Sequence, residues 1–119
     1  MNSTKIKRVA IPVFNGKLSE YFGQCSQYEI VEIENDHVKS RVVVIPPTKD
    51  ITQLPEWAAN QKITDIITYK IDKRIIHLFT PFRINLFVGI TIDAPRQLIK
   101  DYINGKLKSD QLIIAEIIE

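Results

Sequence analysis

Apolar and polar positions change their rhythm about halfway along this chain. Residues 5–14 carry the compact apolar block VAIPV, which predicts a strand covered on both faces, with Pro12 better suited to an edge or bulge. Asn15-Gly16 is a strong turn signal, and LSEYFGQCSQ after it, with Gly23 in its middle, reads as a loop holding a short extended piece. Residues 28–34 alternate as YEIVEIE, Asn35-Asp36 supplies a turn, and residues 37–45 return as HVKSRVVVI. That pattern is a hairpin, so the first half reads as an antiparallel meander.

Pro46-Pro47 ends the hairpin because neither residue can donate to a ladder. Beyond it the period lengthens. Residues 55–61 predict a short helix with proline in its first turn, and residues 64–69 (TDIITY) predict a buried strand. Asp72 caps a helix over 72–79 that carries Ile75, Ile76, Leu78 and Phe79. INLFVG is a further strand, and Asp93-Ala94-Pro95 opens a helix over 94–104 that stops at Gly105. Strand and helix alternating in this way imply crossovers and parallel pairing. The expected fold class is therefore α/β, a three-layer, ribonuclease H-like arrangement with a mixed central sheet and flanking helices. The closing run SDQLIIAEIIE fits either a strand or a tail that docks on a partner.

Length and composition narrow the functional classes. With 119 residues, 45% of them hydrophobic and 25% charged, the chain is expected to form one domain over 1–119, with its core at about 6–107 and a tail at 108–119. A net charge of +2 is too even for a duplex-binding footprint, so no nucleic-acid partner is expected. No apolar run approaches the roughly 20 residues that span a bilayer, so no membrane partner is expected either. A single cysteine excludes an internal disulfide framework, and with no apolar leader core at the start the expected compartment is a reducing cytoplasm.

Little in the sequence supports catalysis. VAIPV has no carboxylate with which Asp65 or Asp72 could build a two-metal nuclease site, and Cys25, His37 and His77 lie in separate elements. The chain is therefore read as non-enzymatic. Two local features stand out. In EYFGQC, Glu20, Tyr21 and Cys25 surround Gly23 in a loop where backbone can approach a ligand closely and a Cys25 thiolate could take a soft metal; the bland reading is a loop anchored by Tyr21 and Phe22 with a small buried cysteine. In YKIDKR, Lys70, Lys73 and Arg74 crowd the passage from strand to helix, where an anion would offset their charge; the bland reading is a solvated basic rim, already moderated by Asp72.

Taken in order, IPVFNGKLSEYFGQCSQYEIVEIEND, ITDIITY, RINLFVG and APRQLIKDYINGKL resemble the dinitrogenase iron-molybdenum cofactor biosynthesis family, which includes NifX-like proteins, over nearly all of residues 6–107. The carrying motifs are the Gly16-Lys17-Leu18-Ser19 step, the Phe22-Gly23 loop and the helix end Tyr102-Ile103-Asn104-Gly105-Lys106-Leu107. Tyr21 stands where that family has a loop histidine, and PPTKDITQLPEW and Tyr69-Lys70-Ile71-Asp72 replace its glycine-containing segments.

The resemblance implies a ribonuclease H-like fold that is not a nuclease. It also implies a carrier or binding role for an anionic metal-sulfur cluster or precursor, of iron-sulfur or iron-molybdenum type, exchanged with a donor or acceptor protein. The residues expected to serve that role are Tyr21, Phe22, Gly23, Cys25, Lys70, Lys73 and Arg74, with Cys25 as the metal ligand. The competing expectation is a divergent member that has lost the cluster and acts as an interaction or regulatory module, through residues 112–119 or the exposed side of Trp57.

Overall fold

The computed structural model describes residues 6–46 and 50–110, and these form six strands, three α-helices and two 3₁₀ turns. The expected tail beyond residue 110, including LIIAEIIE, lies outside the described residues, as does Pro47 of the proline pair. Strand β1 (Ile6–Phe14) turns at Asn15-Gly16 into the short β2 (Lys17–Leu18). Strands β3 (Gln27–Glu34) and β4 (His37–Val44) form the hairpin. Both turns use positive φ at their two central residues, 54° and 77° at Asn15 and Gly16 and 51° and 67° at Asn35 and Asp36. This is the twist that matches a two-residue hairpin.

A 3₁₀ turn at Ile51–Gln53 leads into α1 (Leu54–Asn60), followed by β5 (Asp65–Ile67) and α2 (Lys73–Phe79). Asp72 caps α2 as expected, its carboxylate accepting from Arg74 N at 2.8 Å. After β6 (Asn85–Phe87), α3 (Pro95–Ile103) begins at the expected proline. Strand β5 is shorter than the 64–69 of the sequence reading, because Thr68 and Tyr69 leave the ladder and bond β6 and the loop after it one by one.

The sheet order is β4-β3-β1-β5-β6, with β2 appended to the end of β1. The β1–β3 and β3–β4 pairs are antiparallel, whereas β1–β5 and β5–β6 are parallel, so the sheet is mixed. One face packs on α1 and α2 through Ala10, Ile30, Ile66, Leu54, Ala58, Ile75 and Phe79. The other packs on α3 through Val9, Ile11, Val31, Ile67, Leu98 and Ile99. The fold is thus the three-layer mixed α/β arrangement.

Pro12 corrects one expectation: β1 lies in the middle of the sheet, not at an edge. The last β1–β5 pair is Ala10 with Ile66, and the Pro12 carbonyl instead accepts from Ser19 N at 2.8 Å. The proline occupies the gap where β1 exchanges β5 for the β2 hairpin, a place that asks for no N–H.

The amino ends of the parallel strands are closed by side chains. Asp65, 4% exposed, accepts from Thr64 Oγ1 at 2.6 Å and from Asn85 Nδ2 at 3.2 Å, while Thr64 Oγ1 accepts from Arg8 N at 3.0 Å. Burial, and then the Asp65 carboxylate, push the Tyr102 hydroxyl above its ordinary range. A buried carboxylate held by several donors is a satisfied structural group. The nuclease reading therefore gains nothing from Asp65.

Candidate functional site at the carboxyl ends of the parallel strands

The residues singled out in the sequence follow the β1–β2 hairpin and the carboxyl end of β5, beside the loop that leaves β6. Open α/β sheets place ligands outside this end. Here the two sequence features meet. Tyr21 and Lys70 form a parallel bridge: Phe22 N donates to Lys70 O at 2.8 Å and Lys70 N donates to Glu20 O at 3.0 Å. The Lys70 ammonium lies 5.1 Å from the Tyr21 ring centroid, 5.6 Å from that of Tyr69 and 3.6 Å from the Glu20 carboxylate. Burial pulls this ammonium toward neutrality, but Tyr21, Glu20 and Tyr69 outweigh it and leave the pKa raised. Lys70 stays a cation, held between two aromatic rings.

Below the bridge, Phe22 plugs the loop into the core. Its ring meets Phe79 edge-on at 5.8 Å and Tyr28 at 6.3 Å. Gly23 follows with φ at +95°, and a Cβ there would stand 3.1 Å from Ile51 Cδ1, so the tight loop needs a glycine. Glu20 and Tyr21 on the loop side of the bridge, though not Lys70, also line a depression of about 300 Å³ together with Phe14, Ser19 and Gln24. A second, of about 190 Å³, lies at the end of β6 around Gly89, Thr91, Asp93 and Lys106. The loops are tied together by Leu18 N donating to Asp93 O at 3.0 Å and Gly89 N to Tyr69 O at 2.8 Å.

The other expected site residues lie differently. The Arg74 guanidinium is committed to Asp72, with contacts of 2.7 and 3.1 Å, and its hydrogen bonds hold the Asp72 carboxyl at about 2. Lys73 projects from the start of α2 with no ion pair among the described residues. Cys25 packs against the core around Phe22 and Tyr28 and does not line the depression. Tyr69, Phe14 and Gln24 were not singled out in the sequence; the aromatic beside Lys70 at a strand end was the available signal.

Burial raises the Cys25 thiol pKa despite opposing contacts led by Tyr28, and burial and then Cys25 raise the Tyr28 hydroxyl, whose oxygen is enclosed without a hydrogen bond of ordinary geometry. Both groups are stabilised in the neutral form on folding. Their contribution is complete below the unfolded thiol value of 9.0 and is lost as pH rises through the raised folded values. The urea midpoint is therefore expected to fall as pH rises past 9.0, and less steeply in Cys25→Ser with Tyr28→Phe. Equal slopes in the two proteins would refute this assignment.

Among the described residues no three His, Cys, Asp or Glu side chains converge as a metal site. The donor set at the bridge suits an anion recognised from outside by ammonium and hydroxyl groups better than a bare metal ion, which asks for several ligands.

Comparison with known proteins agrees with this architecture. No family model matches the chain. The crystal structure of PH0822 is 32% identical and superposes with a TM-score of 0.77 over 87% of this chain and 96% of that one. The chain belongs to the family of PH0822. MJ0580 of Methanocaldococcus jannaschii is 28% identical, over 87% of this chain and 92% of its own length. Two more distant structures share the fold of the PH0822 family. MJ0327 of the same organism, described as a candidate dinitrogenase, is 23% identical with a TM-score of 0.71 over 87% and 93% of the two chains. The orange protein of Desulfovibrio gigas, solved in its apo form, is 11% identical with a TM-score of 0.71 over 91% and 96%. No helix among the described residues is long and apolar enough to cross a membrane.

Proposed function

We propose that this chain is a non-enzymatic binding or carrier protein for an anionic metal-sulfur cluster or precursor, of the kind handled in iron-molybdenum cofactor biosynthesis. The observation that carries the reading is the Tyr21–Lys70 bridge, which sets a cation between two tyrosines beside an open depression at the ligand-binding end of the sheet. The dinitrogenase description of MJ0327 and the apo form of the orange protein support it, as does the motif order of the chain. Lys70 and Lys73 supply charge, Tyr21 supplies the wall on a loop that Phe22 and Gly23 hold in place, and Arg74 is spent on Asp72. Cys25 carries a proton that a soft metal would displace, so it is a second contact, not the anchor.

Anaerobic reconstitution with iron, sulfide and molybdate tests the reading. Metal and sulfide should stay with the protein through desalting, with visible absorption, and added salt should release them because the attraction is largely electrostatic. Loss of all metal on desalting at low salt would overturn the proposal. A second reading, action through protein contacts, is favoured by the exposure of β4 at the sheet edge.

A further inference from the structure

Strand β4 and α3 enclose a groove of about 240 Å³ on the face of the sheet that α3 covers. Val38, Ile99 and Ile103 give it an apolar floor, and Arg41, Arg96 and Lys100 surround that floor with positive charge. Arg41 is paired with Glu29 at 2.9 Å, but the side chains of Arg96 and Lys100 have no acidic partner among the described residues. They stand four apart on α3, and Arg96 occupies its first turn, where a cation opposes the helix dipole. Among the described residues the adjoining β4 is the outermost strand on this side of the sheet, and Val43 on it and Ile45 just beyond it are 55% and 68% exposed. An exposed apolar edge next to unpaired cations calls for an extended segment that is itself apolar and acidic.

The chain contains such a segment. Residues 112–119, beyond the described residues, combine Leu112, Ile113, Ile114, Ile117 and Ile118 with Glu116 and Glu119. The last described residue, Asp110, donates its N–H to Val88 O just after β6, at the sheet edge opposite β4. Crossing four strand spacings takes about 19 Å, or roughly six extended residues. Too little of the segment would then remain to fill the groove of its own chain. A second copy has no such constraint.

We infer that residues 112–119 of a second copy dock along β4, with their apolar side chains over Val38, Ile99 and Ile103 and their glutamates among Arg41, Arg96 and Lys100. The test is sedimentation of the full-length chain, reduced, over a dilution series at low and high salt. The wild type should associate reversibly and dissociate as salt is added. Arg96→Glu with Lys100→Glu, and separately Glu116→Lys with Glu119→Lys, should each weaken association by at least about tenfold, and the four changes together should restore most of it. Circular dichroism checks that each variant folds, and Arg96→Gln with Lys100→Gln gives a milder version that should weaken association in the same direction. A wild type that stays monomeric, or reversals that leave association unchanged or unrescued, would overturn the proposal. So would a monomer in which the two reversals lower the melting temperature and their combination restores it, because the chain's own tail would then fill the groove.

Discussion

Phe22→Ala is expected to lower the unfolding free energy by about 3–5 kcal/mol, the usual cost of emptying a buried phenylalanine site. Phe22 is 5% exposed and meets two aromatic neighbours edge-on, Tyr28 and Phe79, which come from different layers. A domain of this size is typically stable by about 5–15 kcal/mol, so the loss takes a large share of the margin. The side chain also fastens the loop whose backbone bonds Lys70. The variant should therefore bind a reconstituted cluster poorly even at temperatures where it remains folded. Urea denaturation with both probes checks this, and Phe22→Leu should recover part of each loss. A stability change below about 1 kcal/mol would mean that the loop is not anchored through this ring.

Lys70→Ala should separate binding from stability. A charge-assisted contact contributes about 1.5–3 kcal/mol, so affinity for tetrathiomolybdate, used as a simple anionic metal-sulfur probe, should fall by about 10- to 150-fold. The melting temperature should move little, because Glu20, the partner in the ion pair, is itself largely in solvent and such half-exposed pairs contribute little. Arg74→Ala is the internal comparison, since its guanidinium is already bound to Asp72 and its removal should leave affinity unchanged. Lys70→Arg should retain much of the binding. Titration calorimetry that finds Lys70→Ala equal to the wild type would remove the bridge as the binding site.

Local chemistry made much of the fold legible. Asn15-Gly16 and Asn35-Asp36 announced their turns because few residues tolerate positive φ, and helix starts were announced by Asp72, whose carboxylate accepts from an N–H the helix end leaves unpaired, and by Pro95, which brings no N–H to leave unpaired. The run HVKSRVVVI was legible as the returning strand of a hairpin but not as an edge, and β4 is exposed almost throughout because its neighbours and not its composition put it there. Pro12 misled for the same reason: a change of partner partway along a central strand leaves no local mark.

The site was legible in parts and not as a whole. Tyr21, Phe22, Gly23 and Lys70 could each be singled out, but the bridge between Tyr21 and Lys70 joins residues far apart in sequence, beyond the reach of any periodicity. The direction of Cys25 depended on where Phe22 and Tyr28 pack, which is a property of the assembled core.

The polar lock of Asp65, Thr64, Asn85 and Arg8 lies at the opposite end of the sheet from the loops around Lys70. Register of the parallel strands is thus specified where no ligand contact is proposed. Apart from Phe22 and Gly23, which seat their loop on the core, exposed loop positions at the carboxyl end are correspondingly free to drift, since an exchange there leaves the lock and both packed faces intact. The scaffold therefore separates heritable shape from adjustable specificity, in keeping with an orange protein that retains the same fold at 11% identity.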